Sequence, residues 1–195
     1  MIAFSHCLLV QYGVLNPPVA DAAVDMGLTV GQHSSVLGVD PGIGTTGWAV
    51  VSQTGDKFCL VAAGKIDPRR AAPIGERLYE VFSGIRALCR EHAPREIALE
   101  ESFYGKNVKS ALVIGQARAA VLLAAVEAGA PVFEYPARLV KQAVTGRGQA
   151  AKGQVGFMIQ NMLGLRDPLT PEDVADAAAI ALCHMMRRDV AAVLR

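Results

Sequence analysis

Four carboxylates stand where a folded chain could put them to work. Asp40 closes the apolar run VLGVD and precedes Pro41-Gly42. Glu100 closes the run EIALE, and Asp173 and Asp176 lie three residues apart in TPEDVADAAAIALCH, on one face of a helix start. Carboxylates gathered at one place repel one another and do not stay ionised without compensation. Hard divalent cations supply it, since Mg²⁺ binds through a few carboxylates together with substrate phosphates. Two such ions about 3.5–4 Å apart activate a water and stabilise both the attacking and the leaving oxygen of a phosphodiester displacement. The expected cofactor is Mg²⁺, two ions per site, with Mn²⁺ as a substitute. Asp40 would bridge them, with Glu100 on one side and the Asp173/Asp176 pair on the other.

Each residue also has a plainer reading. Asp40 before Pro-Gly could start a turn, and Glu100 could be a solvated strand end. Thr170-Pro-Glu-Asp173 has the form of a capping box with proline at the first helical position. Asp176 could be a first-turn carboxylate favoured by the helix dipole. A shared metal site accounts for all four together.

The elements that must position them follow from periodicity. Residues 36–40, GTTGWAVVSQ and KFCLVAAGKID form three strands joined by tight links, an antiparallel meander. Residues 73–91 carry Ile74, Leu78, Val81, Phe82, Ile85 and Leu88 at helical spacing, and Pro94 stops that helix. EIALE is a fourth strand, 107–128 a long helix, and PVFEYP a fifth strand; helical segments follow at about 137–145, 150–163 and 171–187. This order predicts an α/β protein with a five-stranded mixed sheet covered by helices. Functional groups of such sheets gather at strand ends, where Asp40 and Glu100 lie.

Composition narrows the setting. The 195 residues suit one domain with a sizeable core. Although 52% of them are hydrophobic, no run reaches the roughly 18–20 uninterrupted apolar residues of a membrane span. Cys7, Cys59, Cys89 and Cys183 are scattered without CxxC or zinc spacing, which reads as reduced thiols of a cytoplasmic protein. Residues 1–35 hold no Lys or Arg and lack the basic region of a secretory signal. They read as a poorly ordered leader, or as the product of a start codon placed upstream of one near Met26. The domain is expected over 36–188, with 189–195 as a tail.

The chain from about Val36 to Arg187 resembles the RuvC family of bacterial Holliday junction resolvases, nucleases with a ribonuclease H-like fold. The matching stretches are VLGVDPGIGTTGWAVV, ALEESFYGKNVKSALVIGQARAAVLLAA, PVFEYPARLVKQAVTGRGQAAKGQV and PEDVADAAAIALCH, in the family order. The resemblance implies that Asp40, Glu100, Asp173 and Asp176 are the family's acidic metal ligands and the catalytic residues. It also implies that Phe103 is its aromatic wedge and that Lys141 and Lys152 are its substrate-contacting lysines. It implies a homodimer that binds a four-way DNA junction and cuts two strands with paired, symmetric nicks in recombination and repair. The branch-migration proteins RuvA and RuvB are candidate partners.

Charge distribution fits a DNA face. The net charge of +1 hides two basic segments. Tyr135 to Arg166 holds Arg138, Lys141, Arg147, Lys152 and Arg166 with no acid, and Ser102 to Val126 holds Lys106, Lys109 and Arg118 with none. Such segments beside an acidic cluster suit phosphate binding around a metal site. Phe103 and Tyr104, in a loop with polar flanks, are candidates for stacking on a splayed base. On the 107–128 helix, Ala111, Gly115 and Ala119 permit close approach and Leu112, Leu122 and Val126 offer apolar surface, so it is the expected dimer interface. Two other readings compete: a ribonuclease H-like nuclease acting on RNA or flaps, and an actin- or sugar-kinase-like ATPase, whose phosphate loop also reads Asp-x-Gly-x-Thr. The second needs another phosphate loop and a nucleotide-binding half that 195 residues do not hold.

Overall fold

A computed structural model describes the backbone of residues 35–101 and 108–193, and the side chains of 35–101 and 111–188. Strands β1 (Ser35–Asp40), β2 (Thr46–Thr54) and β3 (Lys57–Ile66) come first, followed by helix α1 (Ile74–His92). Then come β4 (Glu96–Glu100), α2 (Val108–Ala128), β5 (Val132–Tyr135), α3 (Ala137–Thr145), α4 (Lys152–Met162) and α5 (Glu172–Val193). The strands form one sheet in the order β3-β2-β1-β4-β5. The first three are antiparallel, and β4 and β5 run parallel to β1. The expected α/β architecture is the observed one. The last helix differs in extent: it is expected over about 171–187 and runs from Glu172 to Val193.

Alternation along the central strands splits the core into two layers. Leu37, Val39, Trp48, Val50, Ile97 and Leu99 face α1 and α2, where Val81, Ile85, Val121 and Ala125 meet them. Val36, Ala49, Val51 and Ala98 face the other way, against α3, α4 and above all α5. By the same period of two, Asp40 follows Val36 and Gly38 onto the α5 side, and Glu100 follows Glu96 and Ala98 there.

Two glycines let α5 lie on the sheet. A Cβ at Gly38 would overlap the carbonyl oxygen of Ala177 and stand 2.8 Å from the Ala181 nitrogen. One at Gly47 would overlap the Asp173 carbonyl and stand 2.9 Å from the Asp173 Cβ. Gly47 pairs with Asp40 across the β1–β2 ladder, so the helix start settles beside the end of β1. Further along, His184 is buried and its Nε2 lies 3.0 Å from Glu96 Oε2, while its Nδ1 lies 2.7 Å from the Tyr135 hydroxyl. Arg188 also donates to Glu96, at 3.0 Å. Burial pushes the Glu96 carboxyl up, but the bonds from His184 and Arg188 outweigh it and hold the group below the usual range. This network ties α5 to β4 and β5.

Helix α2 contains a stretch, Ala111–Ala128, long and apolar enough to cross a membrane by length and composition alone. Ala117, Ala120, Val121, Ala124 and Ala125 are buried in the layer below it, and Arg118 pairs with Glu134 of β5. Its opposite side leaves Leu112, Leu123 and Val126 exposed at 65%, 63% and 78%. The expected interface residues divide accordingly. Leu112, Gly115 and Ala119 are exposed and Ala111 is half-buried, and Leu122 is half-buried, packed in part against the core. The helical phase places Leu122 one step from buried Val121 and leaves Leu123 the more exposed of the two leucines.

Candidate active site

Asp40 and Glu100 end neighbouring parallel strands, one residue beyond the paired Val39 and Leu99, so both carboxylates emerge at one edge of the sheet. Helix α5 starts over that edge and brings Asp173 and Asp176 in its first turns. All four side chains are half-buried, and the structure gathers them closely enough to share a field. Burial pushes the Asp40 carboxyl up to about 7, aided by the charges of Asp176, Glu100 and Asp173 and opposed by Lys152. Burial also raises Glu100, with Asp176 adding to the rise and Lys141 and Lys152 opposing it. Asp176 is raised chiefly by burial, against the pull of Lys152 and Lys141.

The two lysines thus reach the cluster from α3 and α4. Lys152 Nζ donates to Glu172 Oε2 at 2.7 Å and lies 3.9 Å from Asp176 Oδ2. Lys141 is half-buried on the α3 face toward Glu100 and Asp176. Gly146 in the left-handed region, with its N–H on Gln142, ends α3 and turns the chain into the loop that carries Arg147. That arginine is exposed beside a hollow of about 470 Å³ lined by Thr145, Gly153, Gln154 and Phe157, and is not among the charges that shift Asp40, Glu100 and Asp176. Phe103, Tyr104 and Lys106 lie outside the described residues, and Lys109 is placed in α2 by its backbone alone.

Glu172 and Arg77 belong to this region and escape a reading of the sequence. Glu172 sits beside the expected ligands but engages Lys152. Arg77, on α1, donates from Nη2 to the Ile43 carbonyl at 2.6 Å, in the loop just after Asp40. No spacing rule links residues 34 apart; the contact exists only once α1 has packed.

Chemically, the cluster is a set of hard oxygen donors whose mutual repulsion two lysines offset only in part. Among the described residues no group of three or more His, Cys, Asp or Glu side chains is set as a ready-made metal cage. The donors fit a divalent cation by chemistry, because an ion would take the place of the proton that burial favours on Asp40.

The strand order and the helices on both faces define a ribonuclease H-like fold, with its acidic cluster at the ends of β1 and β4. Residues 36–184 match the family model of the crossover junction endodeoxyribonuclease RuvC. The RuvC of Pelotomaculum thermopropionicum is 44% identical over 149 residues, covering 76% of this chain and 91% of that protein. That of Chloroflexus aggregans is 47% identical over 148 residues, 76% and 90% of the two chains. Among solved structures, Thermus thermophilus RuvC in complex with a Holliday junction substrate superposes with a TM-score of 0.78 at 36% identity, covering 82% of this chain and 97% of the other. The structure of the same Thermus protein alone gives 0.76 over 80% and 96%. The chain belongs to the RuvC family of crossover junction endodeoxyribonucleases.

Proposed function

We propose that this protein resolves four-way DNA junctions by paired, symmetric nicks, as a homodimer whose two sites are each built from Asp40, Glu100, Asp173 and Asp176. The observation that carries the reading is the convergence of four half-buried carboxylates, where burial and then the charges of Asp176, Glu100 and Asp173 raise the Asp40 carboxyl to about 7. Such a cluster is costly unless a ligand compensates it.

The four carboxylates would hold two Mg²⁺ ions. Bound there, the ions supply a water nucleophile at neutral pH and stabilise charge on the leaving oxygen. Asp40, at the end of β1 beside Glu100 and the start of α5, would be the ligand shared by the two ions. Lys152 and Lys141, on the side of α3 and α4, draw the scissile phosphate toward the carboxylates and offset the charge of the incoming backbone. Lys152 leaves Glu172 to do so; the exposed pair is weak and exchanges readily for phosphate. Arg147 lies further along the same side and takes a flanking phosphate. Phe103 and Tyr104 come three and four residues after Glu100 in the sequence and supply the aromatic that stacks on an unpaired base; Lys106 and Lys109, which follow them in the sequence, add positive charge for phosphates.

The exposed ridge of Leu112, Ala119, Leu123 and Val126 pairs two copies along α2. A two-fold dimer matches the symmetry of a substrate cut twice. RuvA and RuvB would deliver the junction. Cleavage of a mobile synthetic junction beside linear duplex, with Mg²⁺ and Mn²⁺ tried separately, tests the reading. Symmetric nicks on the junction alone are expected, and equal cutting of duplex, an RNA hybrid or a flap would refute it.

A further inference from the structure

The loop from Pro41 to Thr45 leaves Asp40 and returns the chain to β2, so its shape fixes the direction in which β1 ends. Two of its ties come from the sheet itself. The Thr46 hydroxyl donates to the Gly42 carbonyl at 2.7 Å and accepts from the Gly42 N–H at 3.3 Å. Thr45 Oγ1 donates to Asp67 Oδ1 at 2.8 Å, at the end of β3. The third comes from the helix layer on the far side of the sheet from α5: Arg77 Nη2 donates to the Ile43 carbonyl at 2.6 Å.

A half-buried guanidinium is an expensive way to hold a loop. Arg77 Nε is buried and has no hydrogen-bond partner among the described residues. Desolvating part of a permanent cation needs compensation, and the short charge-assisted bond to Ile43 supplies it. An uncharged side chain could fill the same space without that cost, so the bond's direction is what the arginine adds.

We infer that Arg77 is a positioning residue for the nuclease reaction: by gripping the Ile43 carbonyl from α1, it holds the Asp40 carboxylate turned toward Asp173 and Asp176 of α5. The inference rests on the junction-cleavage reading above. It makes α1 part of the active-site frame, with one layer supplying two of the carboxylates and the other aiming the one between them. Small misplacements of a reacting group cost rate steeply, about 10²-fold for 1 Å.

The test compares full-length wild type, Arg77→Met and Arg77→Lys. Cleavage rate and junction affinity are measured separately, and Mn²⁺ binding is followed by electron paramagnetic resonance on the protein without DNA. Arg77→Met should bind the junction as wild type does, cleave it at least about tenfold more slowly, and bind Mn²⁺ more weakly. Arg77→Lys, which keeps one donor, should recover part of both losses. Wild-type cleavage and Mn²⁺ affinity in Arg77→Met would overturn the inference, as would equal losses in the two variants, which would mark a steric role. Should Arg77→Met fail to fold, Arg77→Lys decides: weaker Mn²⁺ binding at unchanged junction affinity supports the inference, and unchanged Mn²⁺ binding overturns it. A wild-type protein that leaves junctions uncut defeats the nuclease reading, while the Mn²⁺ comparison still decides the role of Arg77.

Discussion

The backbone of Asp173 rests on Gly47. A methyl group at Gly47 would overlap the Asp173 carbonyl oxygen, and Gly47 is the ladder partner of Asp40. The missing side chain on β2 therefore sets how closely the first turn of α5 approaches the end of β1. Two of the four carboxylates owe their place beside Asp40 to this contact, and Gly38 repeats it a turn further along, against Ala177 and Ala181.

Gly47→Ala and Gly38→Ala should each destabilise the fold. Overpacking of this kind costs about 1–3 kcal/mol, and more here because the obstructing atoms are backbone. Gly156→Ala provides the contrast: it lies within α4 with open space around it, so it should gain about 0.5–1 kcal/mol. Urea midpoints of the three variants measure the difference, and similar midpoints for Gly47→Ala and wild type would remove the close-approach argument.

The raised Asp40 carboxyl predicts a pH dependence with a definite sign. Its ordinary value is 3.8 and its folded value about 7, so between these the folded state holds a proton that the unfolded chain has released. Stability from this group is full below the lower value and is lost as pH rises toward 7. In EDTA the protein should lose stability between pH 5 and pH 8, and Asp40→Asn should flatten that slope. A divalent ion must displace the same proton, so Mg²⁺ affinity should rise over this range. A stability profile that Asp40→Asn leaves unchanged would contradict the assignment.

Lys152 and Glu172 form an exposed pair that predicts opposite effects on DNA binding. Lys152→Ala removes one phosphate contact and should lower the slope of log affinity against log salt by about 1. Glu172→Gln frees the lysine and removes a like charge from the path of the backbone, so junction affinity should rise at low salt. Filter-binding titrations across salt measure both; a Glu172→Gln protein that binds more weakly than wild type would show that the carboxylate serves DNA instead of restraining Lys152.

Val126→Asp places a charge on the most exposed apolar residue of the α2 ridge. It should shift sedimentation from dimer to monomer while leaving the dichroism spectrum unchanged. A monomer should then nick one strand without coordinating the second cut.

The architecture was legible because its signals are local. Short continuous apolar runs in VLGVD and EIALE mark strands that end in carboxylates, and the 3.6-residue period marks the helices. Asp173 and Asp176 could be read as sharing a helix face. Their distance from Asp40 could not, since it depends on Gly38 and Gly47 meeting the α5 backbone across more than 120 residues of chain. Helix α2 is apolar nearly all round, so composition left undetermined how far each of its leucines turns outward: Leu112 and Leu123 are exposed and Leu122 is half-buried. Arg77 and Glu172 carry no motif; each acquires its role from a partner that only tertiary packing supplies.

The most direct measurement is cleavage of a mobile four-way junction by Asp40→Asn purified as a folded protein, with junction affinity measured alongside. If Asp40 is the residue at which the four carboxylates converge, this variant should bind the junction as wild type does and cut neither strand in Mg²⁺ or Mn²⁺. Paired nicks at the wild-type rate would contradict the site.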